Sequence, residues 1–248
     1  MKPEFIVVIP ARYASTRLPG KPLEEIGGKP LVQHAYEAAR ESRASLVIIA
    51  TDDNRIQQAC AAFCKEVELT SSTVASGTDR IAEVVRRRRI PEDRIVVNVQ
   101  GDEYALPPAL IDQVADLLVA DPTAVMATLC EPIRREADWR DSDIVKVVVT
   151  ADGHALYFSR APIPWAEPGP ASGCTFRHIG LYAYRTGFLL EYAGLAPPGL
   201  ETAERLEQVR ALHHGYRIRV AIACAEAGIG IDSRKDLDRA RRQAGQQS

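Results

Sequence analysis

Residues 5–22 read FIVVIPARYASTRLPGKP, and the fold follows from how that stretch changes character halfway. Phe5-Ile6-Val7-Val8-Ile9 is an unbroken, β-branched apolar run, the pattern of a strand covered on both faces. From Pro10 to Pro22 the periodicity stops, and Arg12, Arg17 and Lys21 arrive among small and hydroxyl residues. Arginine offers forked contacts to phosphate, lysine a point charge, and small residues free the backbone N–H groups. Such a loop can wrap a polyphosphate. In isolation it would pass for a basic connector; its place after a buried first strand favours the ligand reading. It is neither a Walker loop nor a G-x-G-x-x-G fingerprint. Gly27-Gly28-Lys29-Pro30 comes closest and lies too late, just before a helix.

Outward from that strand the same alternation continues. Leu46–Ala50 and Ile95–Val99 are further buried strands, with a short one near 66–69. Between them the pattern predicts helices over 30–41, opened by Pro30, over 54–65, capped by Asp53, and over 79–88. Pro107-Pro108 opens another to Ala120. A β-α-β-α order implies parallel strands with right-handed crossovers, and ligands then sit beyond the carboxyl ends of the strands. The loops after Ile9, Ala50 and Val99 are therefore the candidates. The second half is less regular. Strands are expected at 125–130, 144–149, 155–158, 180–184 and 216–223, with a hairpin turn at Gly153. One helix is expected over 201–213, with Ala203, Leu206, Val209 and Leu212 on one face, and a last one over 234–243, before a frayed tail from Gln243. Residues 161–174, with four prolines and two glycines, read as a loop over a site or an interface.

Composition sets limits. Lys plus Arg total 31 and Asp plus Glu total 33 in 248 residues, so a broad basic surface for nucleic acid is not expected. No apolar stretch approaches the roughly 18 residues of a membrane span. The five-residue apolar run at the start is too short for a signal-peptide core, so a cytoplasmic protein is expected. Five scattered cysteines do not suggest a disulfide framework, and Cys60 and Cys64 read as packing residues.

Two carboxylates stand out. Asp102 follows the strand 95–99, where it can reach the ligand crevice; Mg²⁺ favours one or two carboxylates plus phosphate oxygens. Its alternative reading is a cap of the next turn. Asp232 precedes the last helix and read alone is an N-cap; its interest is the pairing with Asp102.

The run FIVVIPARYASTRLPGKPLEEIGGKPLVQH at 5–34, ATDD at 50–53, SGTDR at 76–80 and VNVQGDE at 97–103 resemble the 3-deoxy-manno-octulosonate (Kdo) cytidylyltransferase family. So do ALYFSRAPIPW at 155–165, RHIGLYAYR at 177–185 and LEQVRAL at 206–212, which extends the resemblance over nearly the whole chain. It implies an α/β, Rossmann-like nucleotidyltransferase fold with a mixed, mostly parallel central sheet and a smaller β-rich acceptor and dimerisation subregion. The chain would be one domain: a CTP-binding half to about 122, an acceptor-binding and dimerisation part to about 225, and a C-terminal metal-site segment. Arg12 and Lys21 would hold the CTP phosphates, with Arg17 a weaker candidate. Pro10, Ala11, Thr51 and Asp52 would line the nucleotide pocket, and Ser76, Gly77, Arg80 and Gln100 would help recognise the cytidine. Asp102 and Asp232 would hold Mg²⁺. Gln100, Arg160, His178, Tyr182, Glu207 and Gln208 would face the acidic sugar. Unaided, His178 reads as a core histidine, and Glu207 and Gln208 as a solvated helix face. The implied reaction yields CMP-Kdo and pyrophosphate for lipopolysaccharide assembly, by a homodimer. The same transfer to 8-amino-Kdo, a nonulosonic acid or a small phosphonate or carboxylate is the alternative, as is a non-catalytic nucleotide binder.

Four features depart from the family pattern, His213-His214-Gly215 among them. Tyr104 stands where proline is usual and is expected to crowd the sugar side. The loop between Trp165 and Arg177 is short. The segment 230–237 keeps its aspartate and lacks the family's proline. His213-His214, at a helix end, is read as electrostatically favoured there.

Overall fold

The computed structural model describes residues 4–245, apart from Ser15, Thr16, Ala75 and Pro168. The hydroxyls of Ser15 and Thr16, part of the cationic loop, thus lie outside the described residues. The strands are β1 Phe5–Ala11, β2 Glu25–Ile26, β3 Lys29–Pro30, β4 Leu46–Thr51, β5 Val67–Leu69, β6 Ile95–Asn98, β7 Glu103–Tyr104, β8 Met126–Pro132, β9 Lys146–Val149, β10 Ala155–Ser159, β11 Phe176–Arg185, β12 Ile218–Ile222 and β13 Ile229–Gly230. The helices are α1 Leu31–Glu41, α2 Asn54–Cys60, α3 Gly77–Arg88, α4 Pro108–Ala120, α5 Glu136–Arg140, α6 Thr186–Tyr192, α7 Gly199–Glu204, α8 Gln208–His213 and α9 Arg234–Gly245.

The central sheet runs β10-β9-β11-β6-β1-β4-β5, with β8 beside β11 and β12 beside β8. The block β6-β1-β4-β5 is parallel, and β11 joins β6 antiparallel. Pairing of Ala11 with Thr51 and of Val8 with Asn98 brings the carboxyl ends of β1, β4 and β6 to one edge. The loops singled out from the sequence therefore emerge together.

β1 is buried throughout because it feeds two cores. Phe5, Val7 and Ile9 pack with Val32, Ala35 and Ala39 of α1 and with Leu110, Ile111 and Val114 of α4. Ile6 and Val8 pack with Ile81, Val84 and Val85 of α3 and with Phe188 and Leu189 of α6. Each buried Val, Leu, Ile or Phe among these contributes about 1.5–3 kcal/mol. A third, smaller cluster joins Leu18, Ile26, Leu31, Tyr104, Ile231, Leu237 and Ala240. It ties the first loop, β7 and α9 together.

Several expectations need correction. α2 stops at Cys60, and the chain beyond it continues as a turn in which the Phe63 and Cys64 N–H groups both donate to the Cys60 carbonyl. The helix expected over 201–213 is broken into α7 and α8. Arg205 takes a left-handed conformation (φ 55°, ψ 47°), which turns Leu206 into the core and leaves Ala203 exposed. α9 continues past Gln243 to Gly245. Tyr104 does not crowd a sugar: it is buried in the third cluster, with its ring 5.0 Å from that of His34. α5 and α6 were not foreseen. The cysteines are all unpaired, and Cys60, Cys64 and Cys130 are buried. Among the described residues no helix is long and apolar enough to cross a membrane.

Candidate active site

At the carboxyl edge of β1 and β6 lies a cavity of about 390 Å³. One wall comes from the first loop. Gly20 sits at φ 72°, where a Cβ would press on the Tyr13 ring at 3.2 Å, and its N–H donates to the Tyr13 carbonyl. Tyr13 in turn lies under the Arg55 guanidinium, 3.3 Å from the ring centroid. The loop is thus folded back on itself, and the short 3-10 turn Lys21–Leu23 carries Lys21 inward to 9% exposure. Its ammonium contacts Asp102 Oδ2 closely and lies 3.2 Å from Asp232 Oδ1. Arg17 reaches the other oxygen of Asp232 at 3.1 Å. The Arg12 guanidinium, also at the cavity, has no hydrogen-bond or ion-pair partner among the described residues.

Asp102 and Asp232 are far apart in sequence and are joined by β7 and β13. Tyr104 pairs with Ile229, Glu103 with Gly230, and the Ile231 N–H donates to the Asp102 carbonyl at 2.9 Å. Gly228 is obligatory here, since a Cβ would collide with the Tyr104 carbonyl oxygen. Asp232 is not the cap of α9. The Ser233 hydroxyl accepts from the Asp236 N–H, and the Asp236 carboxylate receives the N–H groups of Asp232 and Ser233. Beside them, burial first and then the Asp102 and Asp232 charges push Glu103 up to about 7.

A second wall follows α3. Ser76 caps this helix, accepting from Asp79 N–H at 3.1 Å, and Gly77 and Thr78 continue along the cavity. Arg80 is buried, held by Asp52 at 2.7 Å and by a close contact to Thr70. Thr51 is fully buried, and its carbonyl accepts from Thr70. Thr51 and Asp52 therefore stand behind Arg80 rather than on the cavity surface.

The third wall comes from the second half: Tyr182, Tyr184, Tyr192, Arg205, Glu207 and Gln208. Glu207 accepts from Thr78 Oγ1 at 2.7 Å, and its carboxyl is raised by burial. Strand alternation from Tyr182 would have found Tyr184. Tyr192, on the unforeseen α6, and Arg205, at the unforeseen helix break, had no signal in the sequence.

Pro10, Ala11, Arg12, Lys21, Ser76, Gly77, Arg80, Gln100, Asp102, Tyr182, Glu207, Gln208 and Asp232 all come to this one cavity. Arg160 and His178 do not. The Arg160 guanidinium bonds the carbonyls of Glu204 and Ser142, both at 2.9 Å. His178 packs behind Tyr182, between it and Phe158, with Nε2 3.0 Å from Thr128 Oγ1. The hydroxyl's one proton goes to the carbonyl of Ile179 or Leu181, so Nε2–H is the donor. Burial takes this imidazole down to about 3. Between about pH 3 and 6.5 the unfolded chain binds a proton that the folded histidine refuses, so His178 makes stability fall as pH falls. His178→Gln, which keeps a donor for Thr128, is expected to lose less Tm than the parent on going from pH 7 to 4. An equal loss would show that the native histidine titrates normally.

The chain is similar to several known proteins. Residues 6–218 match the family model described as Cytidylyltransferase. A 3-deoxy-manno-octulosonate cytidylyltransferase of Marinobacter nauticus is 51% identical, over 96% of this chain and 95% of its own. One from Vibrio cholerae is 52% identical, over 96% of each. The solved structure of a CMP:2-keto-3-deoxy-manno-octonic acid synthetase complexed with CTP superposes with a TM-score of 0.91 at 39% identity, covering 99% of this chain and all of the other. A 4-diphosphocytidyl-2C-methyl-D-erythritol synthase, 13% identical with a TM-score of 0.65, shares the fold.

Proposed function

Since the chain belongs to the 3-deoxy-manno-octulosonate cytidylyltransferases and is thus a nucleotidyltransferase, we propose that it joins CTP to Kdo, giving CMP-Kdo and pyrophosphate. The observation that carries this is the division of one cavity between a cationic wall, with Arg12, Arg17 and Lys21, and a wall of tyrosines with Glu207 and Gln208. The first suits a triphosphate and the second a polyhydroxylated acid.

In this reading the anomeric hydroxyl of the sugar attacks the α-phosphorus in line, and pyrophosphate departs. Lys21 and Arg12 meet the charge that develops on the phosphate oxygens, so catalysis rests on positioning and electrostatics. Gly77 and Ser76, at the start of α3, offer backbone groups to the cytosine edge. Asp102 and Asp232 are the metal ligands of the proposal. Both carboxylates already reach one ammonium, so they are close enough to share one cation. Among the described residues no third His, Cys, Asp or Glu completes a metal cluster, which suits an ion that takes its remaining oxygens from substrate. Bound Mg²⁺ would supply further charge neutralisation. The exposed Leu156 and Trp165, both in the acceptor subregion, support the homodimer the family resemblance implies.

Pyrophosphate release with CTP, Mg²⁺ and a panel of acids tests the reading. Kdo is expected to give the highest kcat/KM. Release only with 8-amino-Kdo, a nonulosonic acid or a small phosphonate would replace the acceptor. CTP binding without release on any acid would overturn the transfer itself.

A further inference from the structure

We propose that Arg205, at the break between α7 and α8, is the cation that reads the acid group of the acceptor; this rests on the cytidylyl-transfer reading above. Five cationic residues line the cavity: Arg12, Arg17, Lys21, Arg80 and Arg205. Lys21 and Arg17 are engaged with Asp102 and Asp232, and Arg80 is buried against Asp52. Arg12 stands on the first loop with them. Arg205 alone is on the wall built by the second half, beside Glu207 and Gln208, and its guanidinium has no hydrogen-bond or ion-pair partner among the described residues. An acid placed between the tyrosines and Glu207 meets repulsion from that carboxylate, and on this wall Arg205 is the group that offsets it.

The backbone is built to present this residue. A left-handed conformation is strained for a residue that carries a Cβ, and glycine would take it freely. Arg89 ends α3 with similar angles away from the cavity, so the conformation does not by itself mark a site. What distinguishes Arg205 is its anchorage. The carboxylate of the preceding Glu204 accepts from Ser159 Oγ at 2.6 Å and from the Arg160 N–H at 2.9 Å. The Glu204 carbonyl accepts from Arg160 Nε at 2.9 Å. Arg160 is thus a positioning residue, fixing the segment from which Arg205 reaches the cavity.

Arg205→Gly removes the cation and relieves the backbone, so it is expected to fold with an unchanged or higher Tm. Its KM for Kdo is expected to rise by about tenfold to a hundredfold, the range for one lost charge-assisted hydrogen bond, while the CTP KM stays within about twofold. Arg205→Lys should restore most of the loss. Replacing the Kdo carboxylate by an amide should penalise the parent far more than Arg205→Gly. An unchanged Kdo KM, an equal rise for CTP, or an amide penalty that persists in Arg205→Gly would overturn the assignment while leaving the transferase reading intact. A parent protein that transfers CMP to no acid would overturn both.

Discussion

Asp102→Ala is expected to lower kcat/KM for pyrophosphate release by about a thousandfold or more, the combined scale of losing a preorganised electrostatic partner and a metal ligand. The effect is large because this one carboxylate serves two neighbours. It holds the Lys21 ammonium, and in the proposed reaction it shares the metal with Asp232. The fold should survive, because the bond from Ile231 is made to the Asp102 backbone carbonyl and not to its side chain. Asp102→Asn separates charge from shape: it too should be inactive, with a Tm close to the parent. A kcat near the parent value at saturating Mg²⁺, for either variant, would remove Asp102 from the metal site.

Lys21→Ala should cost kcat about a hundredfold to a thousandfold, the scale for removing one donor aimed at developing charge. It should also leave Asp102 and Asp232 facing one another without their shared ammonium. Asp232 is half open to water, so the repulsion is screened and Tm should shift little. Lys21→Arg should not rescue the activity. A planar guanidinium cannot replace a compact ammonium where the side chain is nearly enclosed between two carboxylates. Loss of Tm with an intact kcat would make Lys21 a structural residue only.

What could be read from the sequence was what local pattern encodes. FIVVI, LVIIA and the IVV of 95–97 are apolar without interruption because helices cover both faces of those strands, and their order placed the cationic loop at the sheet edge. The misreadings have a common physical origin in partners distant along the chain. The periodicity of 201–213 is truly helical on both sides of Arg205; the break comes with bonds from Ser159 and Arg160, more than forty residues away. Tyr104 looked like an intrusion into the sugar side because its packing partners come from the first loop and α9. Arg160 carries a charge apt for a carboxylate, and nothing local reveals that two carbonyls claim it. His178 shows the opposite case. The reading of its own residue type, a packed histidine, describes its surroundings better than the role the resemblance implied.

The third apolar cluster has a consequence for how the molecule fails. It is small, and its residues come from the same segments that carry Lys21, Asp102 and Asp232. The ladder that seals it, β7 with β13, is two residues long on each side. Local openings draw on the regions with the fewest buried contacts, well below the free energy of global unfolding. Heat or denaturant therefore need only prise this corner open to part the two carboxylates. The long strands β1, β4 and β6 would still be intact, and the loss would reverse on cooling for as long as they held.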